Sequence, residues 1–168
     1  MAFEVVPIAE AHIEGFHAAL DSVARERRYL YFLEAPALED ASKFVRNTIG
    51  KSYPHFVALE DGKVIGWCDV LPVDPRPVRR HTGMLGIGVL ARERGRGIGS
   101  ALLRATLNGA RAFGFTRVEL VYRADNSRVG RLYERFGFVR EGVQRNAVRL
   151  DGTYEDVICM ALLLEDTT

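Results

Sequence analysis

Cysteine is scarce in this sequence, and proline is absent from its second half. The 168 residues include two cysteines, Cys68 and Cys159, which lie in separate strand-like runs without a histidine or another cysteine at the spacing of metal ligands. This pattern argues against a disulfide-stabilised scaffold and gives no zinc motif, so we expect two buried thiols and no bound metal. All six prolines lie at or before Pro77, which leaves the rest of the chain free to form uninterrupted helices and strands.

Strong net charge and long apolar segments are also absent. The net charge of +1 gives no argument for binding to nucleic acid or to an anionic membrane. No apolar run approaches the ~18 residues of a membrane helix, and the N-terminal Met-Ala-Phe-Glu lacks the pattern of a secretory signal. With 48% apolar residues, the chain can bury a core. We therefore expect one cytoplasmic domain over residues 1–168 that binds neither nucleic acid nor membrane.

Apolar periodicity predicts an α/β (α+β) protein with one mixed, mostly antiparallel sheet of about seven strands and helices on both faces. Asp-Gly pairs at 61–62 and 151–152 predict tight hairpins, because these residues tolerate the positive φ of a primed turn. We expect strands at residues 3–8, 56–60, 63–71, 82–89, 117–122, 138–149 and 153–164. We expect helices at residues 10–28, 38–49 and 98–113, and one between Asn126 and Gly137.

A glycine-rich segment at residues 92–99 gives the strongest functional signal. Gly95, Gly97 and Gly99 alternate with other residues between a predicted strand and a predicted helix, and three arginines lie among them. Glycine allows the positive φ of a tight turn and a close approach by a ligand, and the N–H groups at a helix start attract anions. The segment therefore predicts a site for a polyanion such as a pyrophosphate.

Two common phosphate-binding loops do not fit this segment. A P-loop needs a lysine followed by serine or threonine, and no lysine lies between Gly95 and Ser100. A dinucleotide-binding loop needs a third glycine where Ser100 stands. The neighbouring chain also lacks repeated strand-helix units, so a nucleotide or nucleic-acid binder is disfavoured.

What does match is the pattern Arg-x-x-Gly-x-Gly, formed by Arg94, Gly97 and Gly99. A second segment, at residues 126–138, begins with an asparagine at a helix start, has a tyrosine one helix length on and ends in Gly-Phe. Together the two segments resemble the GCN5-related N-acetyltransferase (GNAT) superfamily. The resemblance covers residues 81–138 well, the following residues moderately and the first third of the chain only in outline.

The resemblance implies that the strands at 82–89 and 117–122 run parallel and splay apart, with the pantetheine arm of acetyl-CoA in the gap. Acetyl-CoA would be a co-substrate, with its pyrophosphate on main-chain N–H groups of the glycine-rich turn and its thioester near Val89. Asn126 suits a helix cap, and a contact with the cofactor is an open second role. The residues expected to bind acetyl-CoA are Ile87, Val89, Arg94, Gly95, Arg96, Gly97, Ile98, Gly99, Ser100, Asn126 and Tyr133.

The resemblance assigns a general acid but no general base. Tyr133 matches the acid position, and a phenol with a pKa of about 10 can protonate a leaving thiolate. Its place on an apolar helix stripe also suits a core residue. Residues 84–90 contain no acid, where some relatives have a glutamate. Asp69 and His81 are the candidate bases, and the alternatives are a solvent-facing carboxylate and a loop histidine.

The amine acceptor is less defined. Candidate contacts are Tyr29, Trp67 and Tyr154, with Asp156 near the last, although a charged helix face or a hairpin end also explains these segments. Without a dedicated base, an α-amine is favoured because about 10% of it is neutral at pH 7. The expected function is direct acetyl transfer to a primary amine of a small molecule, amino acid or protein N-terminus. A non-catalytic acyl-CoA-binding module is the alternative, and the sequence leaves a homodimer open.

Overall fold

The computed structural model describes residues 2–165, and none of the helices in this span is long and apolar enough to cross a membrane. The strands are β1 (Glu4–Pro7), β2 (His55–Glu60), β3 (Lys63–Pro72), β4 (Thr82–Val89), β5 (Arg117–Arg123), β6 (Val139–Leu150) and β7 (Thr153–Leu163). The helices are α1 (Ile13–Ala24), α2 (Leu38–Gly50), α3 (Ile98–Phe113) and α4 (Ser127–Arg135). The bounds of β4 and α3 are those predicted, and most other ends lie within one residue of the prediction.

Helix α1 begins later and ends earlier than predicted. Residues Glu10–His12 form a short 3-10 turn before it. At its other end, the N–H groups of Glu26 and Arg27 donate to carbonyls three residues earlier, and Arg27 adopts a positive φ of 59°. This left-handed residue stops the helical path, so the helix ends at Ala24 and not near residue 28.

Both predicted Asp-Gly hairpins are present. Asp61 and Gly62 have φ angles of 49° and 74°, and Asp151 and Gly152 have φ angles of 51° and 78°. Positive φ at both central residues is typical of the type I′ turn, which matches the twist of paired strands. The turns join β2 to β3 and β6 to β7 as antiparallel pairs.

The seven strands follow the order β1-β2-β3-β4-β5-β7-β6 in one sheet. The registers of β1 with β2, β2 with β3, β5 with β7 and β6 with β7 are antiparallel. Strands β4 and β5 run parallel, with residues 82–84 opposite residues 117–119. This register ends at Met84, although β4 continues to Val89. The mixed sheet and the parallel pair implied by the resemblance are therefore confirmed.

The described chain divides into two compact units. The first extends to Leu71 and includes Leu85–Gly114, and the second comprises Pro72–Met84 and the chain from Phe115. The organisation into one domain stays a prediction. The core of the first unit is built by the buried residues Ile8, Ile13, Phe16, Ala19, Val23, Val45, Val57, Leu59, Val64 and Trp67.

The second unit buries one face of its strands and brings α4 close to β5. Val118 and Leu120 of β5 are almost completely buried, as is Val157 of β7. A Cβ at Gly130 of α4 would lie 2.5 Å from the hydroxyl oxygen of Tyr122. Glycine at this position lets the helix lie close to the end of β5, because a larger residue would displace the Tyr122 side chain.

Candidate active site

The glycine-rich turn leads from β4 into an uncapped helix. Gly95 and Gly97 have φ angles of 81° and 82°, which are left-handed conformations that favour glycine. Gly97 is the N-cap of α3, makes no side-chain cap, and is followed by a first turn without an acidic residue. The first N–H groups of α3 have no partner within the helix, and the positive end of its dipole faces the turn. This geometry suits a bound polyanion.

Arg94 braces the turn from inside the first unit. Its Nε donates to the carbonyl of Val89 at 3.0 Å, and its terminal nitrogens donate to the two carboxylate oxygens of Glu26 at 2.9 and 2.5 Å. Its guanidinium also lies 4.7 Å from the ring centroid of Tyr29. Two fixed hydrogen-bonding partners and a stacked ring make Arg94 a structural tie between the end of β4 and the segment after α1.

Arg96 is also committed to carboxylates. It donates to Glu60 at the end of β2, with one nitrogen-oxygen distance of 2.6 Å, and to Glu93 within the turn. The hydrogen bond from Arg96 holds the pKa of the Glu60 carboxyl below its usual value. Because both arginines have acidic partners, main-chain amides are the better candidates for direct contact with a phosphate. Of the predicted residues here, Gly95 and Gly97 are exposed, and Ile98 is buried beneath the helix start.

Two glycines of β4 make room for side chains of the neighbouring strand β3. A Cβ at Gly88 would clash with the indole of Trp67, and a Cβ at Gly86 would lie 3.4 Å from Oδ1 of Asp69. Side chains of β3 therefore take the space beside these glycines. Trp67 is only 4% exposed and belongs to the core, so its place is structural. Ile87 is half-buried, and so is Val89 at the end of the strand.

Asp69 is a buried carboxyl group and not the solvent-facing residue that the alternative described. It is 7% exposed, and burial raises its pKa to about 7. Its direct cross-strand partner on β2 is His55, which is also buried. A carboxyl with this pKa can accept and return a proton near neutral pH, which is what a general base needs.

Asn126 and Tyr133 lie at the two ends of α4 in the second unit. Oδ1 of Asn126 accepts a hydrogen bond from the N–H of Val129 at 3.4 Å, so it caps the helix as expected. Tyr133 is 4% exposed. Its ring centroid lies 5.9 Å from that of Tyr122 and 5.7 Å from that of Phe138. The core packing considered as an alternative for Tyr133 is therefore present, and a role in proton transfer stays a prediction.

The remaining candidates in the second unit lie nearer the surface. His81 is exposed on the loop before β4. Tyr154 is 52% exposed, and the guanidinium of Arg149 lies 5.4 Å from its ring centroid. Oδ1 of Asp156 accepts from the N–H of Asn146 at 2.9 Å, beside an open depression of this hairpin. Within residues 2–165, no three side chains of the usual ligand types are grouped to hold a metal ion.

Four residues of these sites were not predicted from the sequence: His55, Thr48 and the two glutamates that hold the arginines. His55 stood one residue outside the predicted strand, and Thr48 lay on a helix with no functional motif. Glu26 and Glu60 are distant in sequence from Arg94 and Arg96, so no local spacing connects them.

The fold and these sites agree with a known family. Residues 16–138 match the acetyltransferase (GNAT) family. The match spans most of the chain and includes the glycine-rich turn and the helix that begins after Asn126, so the chain belongs to this family. It is an acetyl-CoA-dependent acyltransferase. The resemblance, the enzyme class and the co-substrate expected from the sequence are thereby confirmed.

Three relatives illustrate the similarity. The L-amino acid N-acetyltransferase AaaT of Escherichia coli (strain K12) is 29% identical over 160 residues, which cover 93% of this chain and 96% of that protein. A ribosomal-protein-alanine N-acetyltransferase from Brucella melitensis superposes with a TM-score of 0.90 at 23% identity, covering 96% of this chain and 99% of that one. A phosphinothricin acetyltransferase from Sinorhizobium meliloti, crystallised with acetyl-CoA, superposes with a TM-score of 0.90 at 22% identity. The superposition covers 98% of this chain and 89% of that one. The two structures share the fold of this chain.

Proposed function

We propose that this enzyme transfers the acetyl group of acetyl-CoA directly to the α-amino group of an amino acid or a similarly small primary amine. The observation that supports this acceptor class best is the similarity, over almost the whole of both chains, to an E. coli enzyme named for L-amino acids. A protein N-terminus offers the same α-amine, and the B. melitensis relative is named for alanine of a ribosomal protein.

The pKa of Asp69 fits an α-amine better than a lysine side chain. The α-ammonium group of a peptide N-terminus has a pKa of about 8, one unit above the value of about 7 for Asp69. Proton transfer to Asp69 would then be uphill by about 1.4 kcal/mol, compared with about 4.6 kcal/mol for a lysine with a pKa near 10.4. As general base, Asp69 would therefore select acceptors of low pKa.

Acetyl-CoA would be bound mainly by backbone groups. The N–H groups from Gly95 to Ser100 would hold the diphosphate, and those near Ile87 and Val89 would hold the pantetheine and the thioester oxygen. Each donor placed at a developing oxyanion is worth roughly 3 kcal/mol. Arg94 would contribute by fixing the turn through its glutamate and carbonyl partners. A cofactor contact by Asn126 would be additional to its observed capping bond.

In the proposed reaction, the acceptor nitrogen attacks the thioester carbonyl carbon, a C–N bond forms, and the C–S bond breaks. Asp69 takes the proton that the amine loses, and Tyr133 gives a proton to the departing thiolate. His81, exposed on the loop before β4, is the second candidate base. Tyr29, Tyr154 and Asp156 are proposed contacts of the acceptor.

A panel of amines tests the acceptor class. Purified protein would be mixed with acetyl-CoA and with L-amino acids, their amides, a short peptide with a free N-terminus, or Nα-acetyl-lysine, and free thiol would be measured. We expect at least one α-amine to exceed Nα-acetyl-lysine in kcat/KM by a factor of ~10 or more, following the difference in acceptor pKa. Faster turnover of the lysine side chain would contradict the proposal. Binding of acetyl-CoA without turnover of any amine would favour the non-catalytic module.

Replacing Tyr133 with phenylalanine tests the general acid. We expect kcat to fall by ~100-fold, because general acid catalysis contributes 10²–10⁴ and only the hydroxyl is removed. The Kd for acetyl-CoA should stay within a factor of ~2, since the ring and its packing remain. Stopped-flow thiol release and calorimetry measure the two quantities.

The matched control is Tyr53→Phe, which removes the hydroxyl of a tyrosine packed edge-on against Phe113 in the first unit. It should leave both kcat and Kd unchanged. If Tyr133→Phe kept wild-type kcat, Tyr133 would be a core residue and the thiolate would leave without an acid from this side chain.

Three further properties are proposed from the sequence. We propose that residues 1–168 form one acetyltransferase domain, that the enzyme is cytoplasmic and that a homodimer is an alternative to a monomer. Size-exclusion chromatography with light scattering distinguishes the monomer from the homodimer.

A further inference from the structure

A polar pair lies buried between β2 and β3, where most side chains are apolar. His55 and Asp69 are directly opposite each other in the antiparallel register, and their side chains are 1% and 10% exposed. Nε2 of His55 lies 4.0 Å from Oδ2 of Asp69. This nitrogen is buried without a hydrogen-bond partner in the structure. Buried polar atoms are normally paired, so an orphaned nitrogen facing a carboxyl group calls for an explanation.

The opposite nitrogen of the imidazole is held by α2. Nδ1 of His55 lies 3.0 Å from the hydroxyl oxygen of Thr48, which donates to the carbonyl of Val45 at 2.8 Å. The ring centroid of Phe16 lies 5.2 Å from that of His55 in an edge-on arrangement, and that of Phe44 lies at 5.7 Å. Two aromatic rings and the Thr48 hydroxyl therefore pack around the imidazole, and Nε2 lies 4.0 Å from Oδ2 of Asp69.

The polar groups that run from the Val45 carbonyl through the Thr48 hydroxyl to His55 can select the tautomer of the imidazole but cannot conduct a proton. When the Thr48 hydroxyl donates to Val45, Nδ1–H of His55 donates to Thr48, and Nε2 is left as an acceptor for protonated Asp69. When Asp69 is ionised, the hydroxyl can turn to Nδ1, and Nε2–H then faces the carboxylate. Because the chain ends at a backbone carbonyl, no proton leaves through it. It therefore offers Asp69 a matching partner in either protonation state.

The charges around the pair support this description. Burial lowers the pKa of His55 to about 4 and raises that of Asp69 to about 7, so both groups are neutral between these values and do not form an ion pair. The aromatic and hydroxyl groups that face His55 from α1 and α2 carry no charge. Cys68, the chain neighbour of Asp69, is a buried thiol whose pKa is raised mainly by burial. His17, also on α1, binds the carbonyl of Pro36.

The two carboxyl oxygens of Asp69 have different surroundings. Oδ2 faces His55, whereas Oδ1 lies beside Gly86 of β4, where a Cβ would come within 3.4 Å. Residues 84–90 carry no acidic side chain of their own. Glycine at this position leaves the space through which the carboxyl group of β3 reaches the side of β4. Oδ2 thus lies nearest the imidazole, and Oδ1 lies on the side of β4.

We propose that His55, oriented by Thr48, is the positioning residue that donates from Nε2 to Oδ2 of Asp69 when this carboxyl group is ionised, and thereby leaves Oδ1 as the proton acceptor. This inference rests on the proposed role of Asp69 as the general base. It assigns a function to a buried histidine for which packing alone gives no reason, since an aromatic hydrocarbon would fill the same space beside Phe16 and Phe44 without an orphaned nitrogen.

The variants His55→Phe, His55→Gln and Thr48→Val test the inference, with His17→Gln as the matched control. Two readouts are used: the titration of the Asp69 carboxyl by carbon-13 NMR in the free protein, and the pH profile of kcat/KM for the best amine. In the wild type, both should show a midpoint near the Asp69 pKa of about 7. In His55→Phe, both should move upward by at least ~0.5 units, because the ionised carboxylate loses a charge-assisted donor.

His55→Gln keeps an amide near the position of Nε2 and should restore the midpoint, whereas Thr48→Val should shift it in the direction of His55→Phe. The control should change neither readout. An unchanged Asp69 midpoint in both His55→Phe and Thr48→Val, with lower thermal stability alone, would overturn the inference and leave His55 as a packing residue. NMR separates the two proposals: a shifted titration in a protein that acetylates no amine would retain the pairing and reject the catalytic assignment.

Discussion

Replacing Ser100 with glutamate is expected to weaken acetyl-CoA binding by about two orders of magnitude without destabilising the protein. Ser100 is the third residue of α3 after the N-cap Gly97. Two negative charges ~5 Å apart at an effective dielectric constant of ~20 repel each other by about 3 kcal/mol, which is a factor of ~100 in Kd. The same carboxylate is favourable for the free helix, because an acid in the first turn interacts with the helix dipole by roughly 0.3–1 kcal/mol.

The two opposite effects make this substitution informative. A mutation that merely damages the fold lowers both stability and affinity, whereas Ser100→Glu should raise the Tm slightly or leave it unchanged. Calorimetric titration with CoA and a thermal melt measure the two quantities in one preparation. Added salt should recover part of the lost affinity, because repulsion between exposed charges is screened.

The control is Asn108→Glu, an exposed position on the same helix eight residues further on. At a rise of 1.5 Å per residue it lies about 12 Å along the axis, beyond the Debye length of ~8 Å at physiological salt. Its Kd should change by less than a factor of ~3. If Ser100→Glu bound acetyl-CoA as tightly as wild type, the diphosphate would not lie at the start of α3, and the assignment of the turn would be wrong.

The turn could be predicted from sequence because its determinants are local. Gly95 and Gly97 require positive φ within a few residues of each other, and the helix that follows shows its own periodicity, so spacing alone defines the geometry. The partners of the arginines could not be predicted in this way. Arg94 is paired with Glu26, 68 residues away, and Arg96 with Glu60, 36 residues away. Those contacts follow from how the elements pack, which no local pattern records.

The pairing of His55 with Asp69 could not be predicted because the β2–β3 hairpin contains a single irregularity. Counting outward from the Asp-Gly turn, Leu59 pairs with Val64, and an unbroken ladder would place His55 opposite Cys68. The register shifts by one residue between Ala58 and Leu59, so His55 faces Asp69 instead. A bulge of this kind changes which side chains share a face, and sequence does not reveal where it occurs.

The pKa of Asp69 could not be predicted from the sequence either. From the sequence, Asp69 was either a candidate base or a solvent-facing carboxylate. Only packing against the core decides that it is 7% exposed. The change in environment converts an ordinary acid into a group with a pKa of about 7, and this value makes it a stronger candidate base than His81.

Replacing Asp69 with asparagine is expected to make the protein more stable at alkaline pH and nearly inactive. Folding raises the pKa of this carboxyl from 3.8 to about 7. Its neutral form, present below the unfolded value, carries no penalty, whereas ionisation opposes folding increasingly as pH rises from ~4 to ~7 and fully above that. A shift of about three units corresponds to roughly 4 kcal/mol, of which we expect about 2–4 kcal/mol to be recovered by a neutral amide at pH 8.

The stability gain should therefore depend on pH in a defined direction. At pH 4 the two proteins should unfold at similar temperatures, and at pH 8 the variant should melt roughly 5–12 °C higher, given ~2–4 °C per kcal/mol for a chain of this size. The contribution of His55 has the opposite sign, because its folded pKa is lowered to about 4 and its stabilisation is lost as pH falls below ~6.5. His55 remains in both proteins, so its contribution largely cancels in the comparison.

The activity of Asp69→Asn should fall although its stability rises. An amide cannot accept the proton of the attacking amine, and removal of a general base lowers kcat by a factor of ~10²–10⁴. Asp74→Asn is the control, since Asp74 is paired with Arg76 on a loop and its pKa is lowered by that partner. It should keep full activity and lose stability at pH 8, opposite in sign to Asp69→Asn. If Asp69→Asn retained more than ~10% of wild-type kcat at pH 7, a base of this strength would be excluded and His81→Gln would become the decisive variant. A gain in stability accompanied by a loss of turnover would instead identify Asp69 as a group kept buried for catalysis at the expense of the fold.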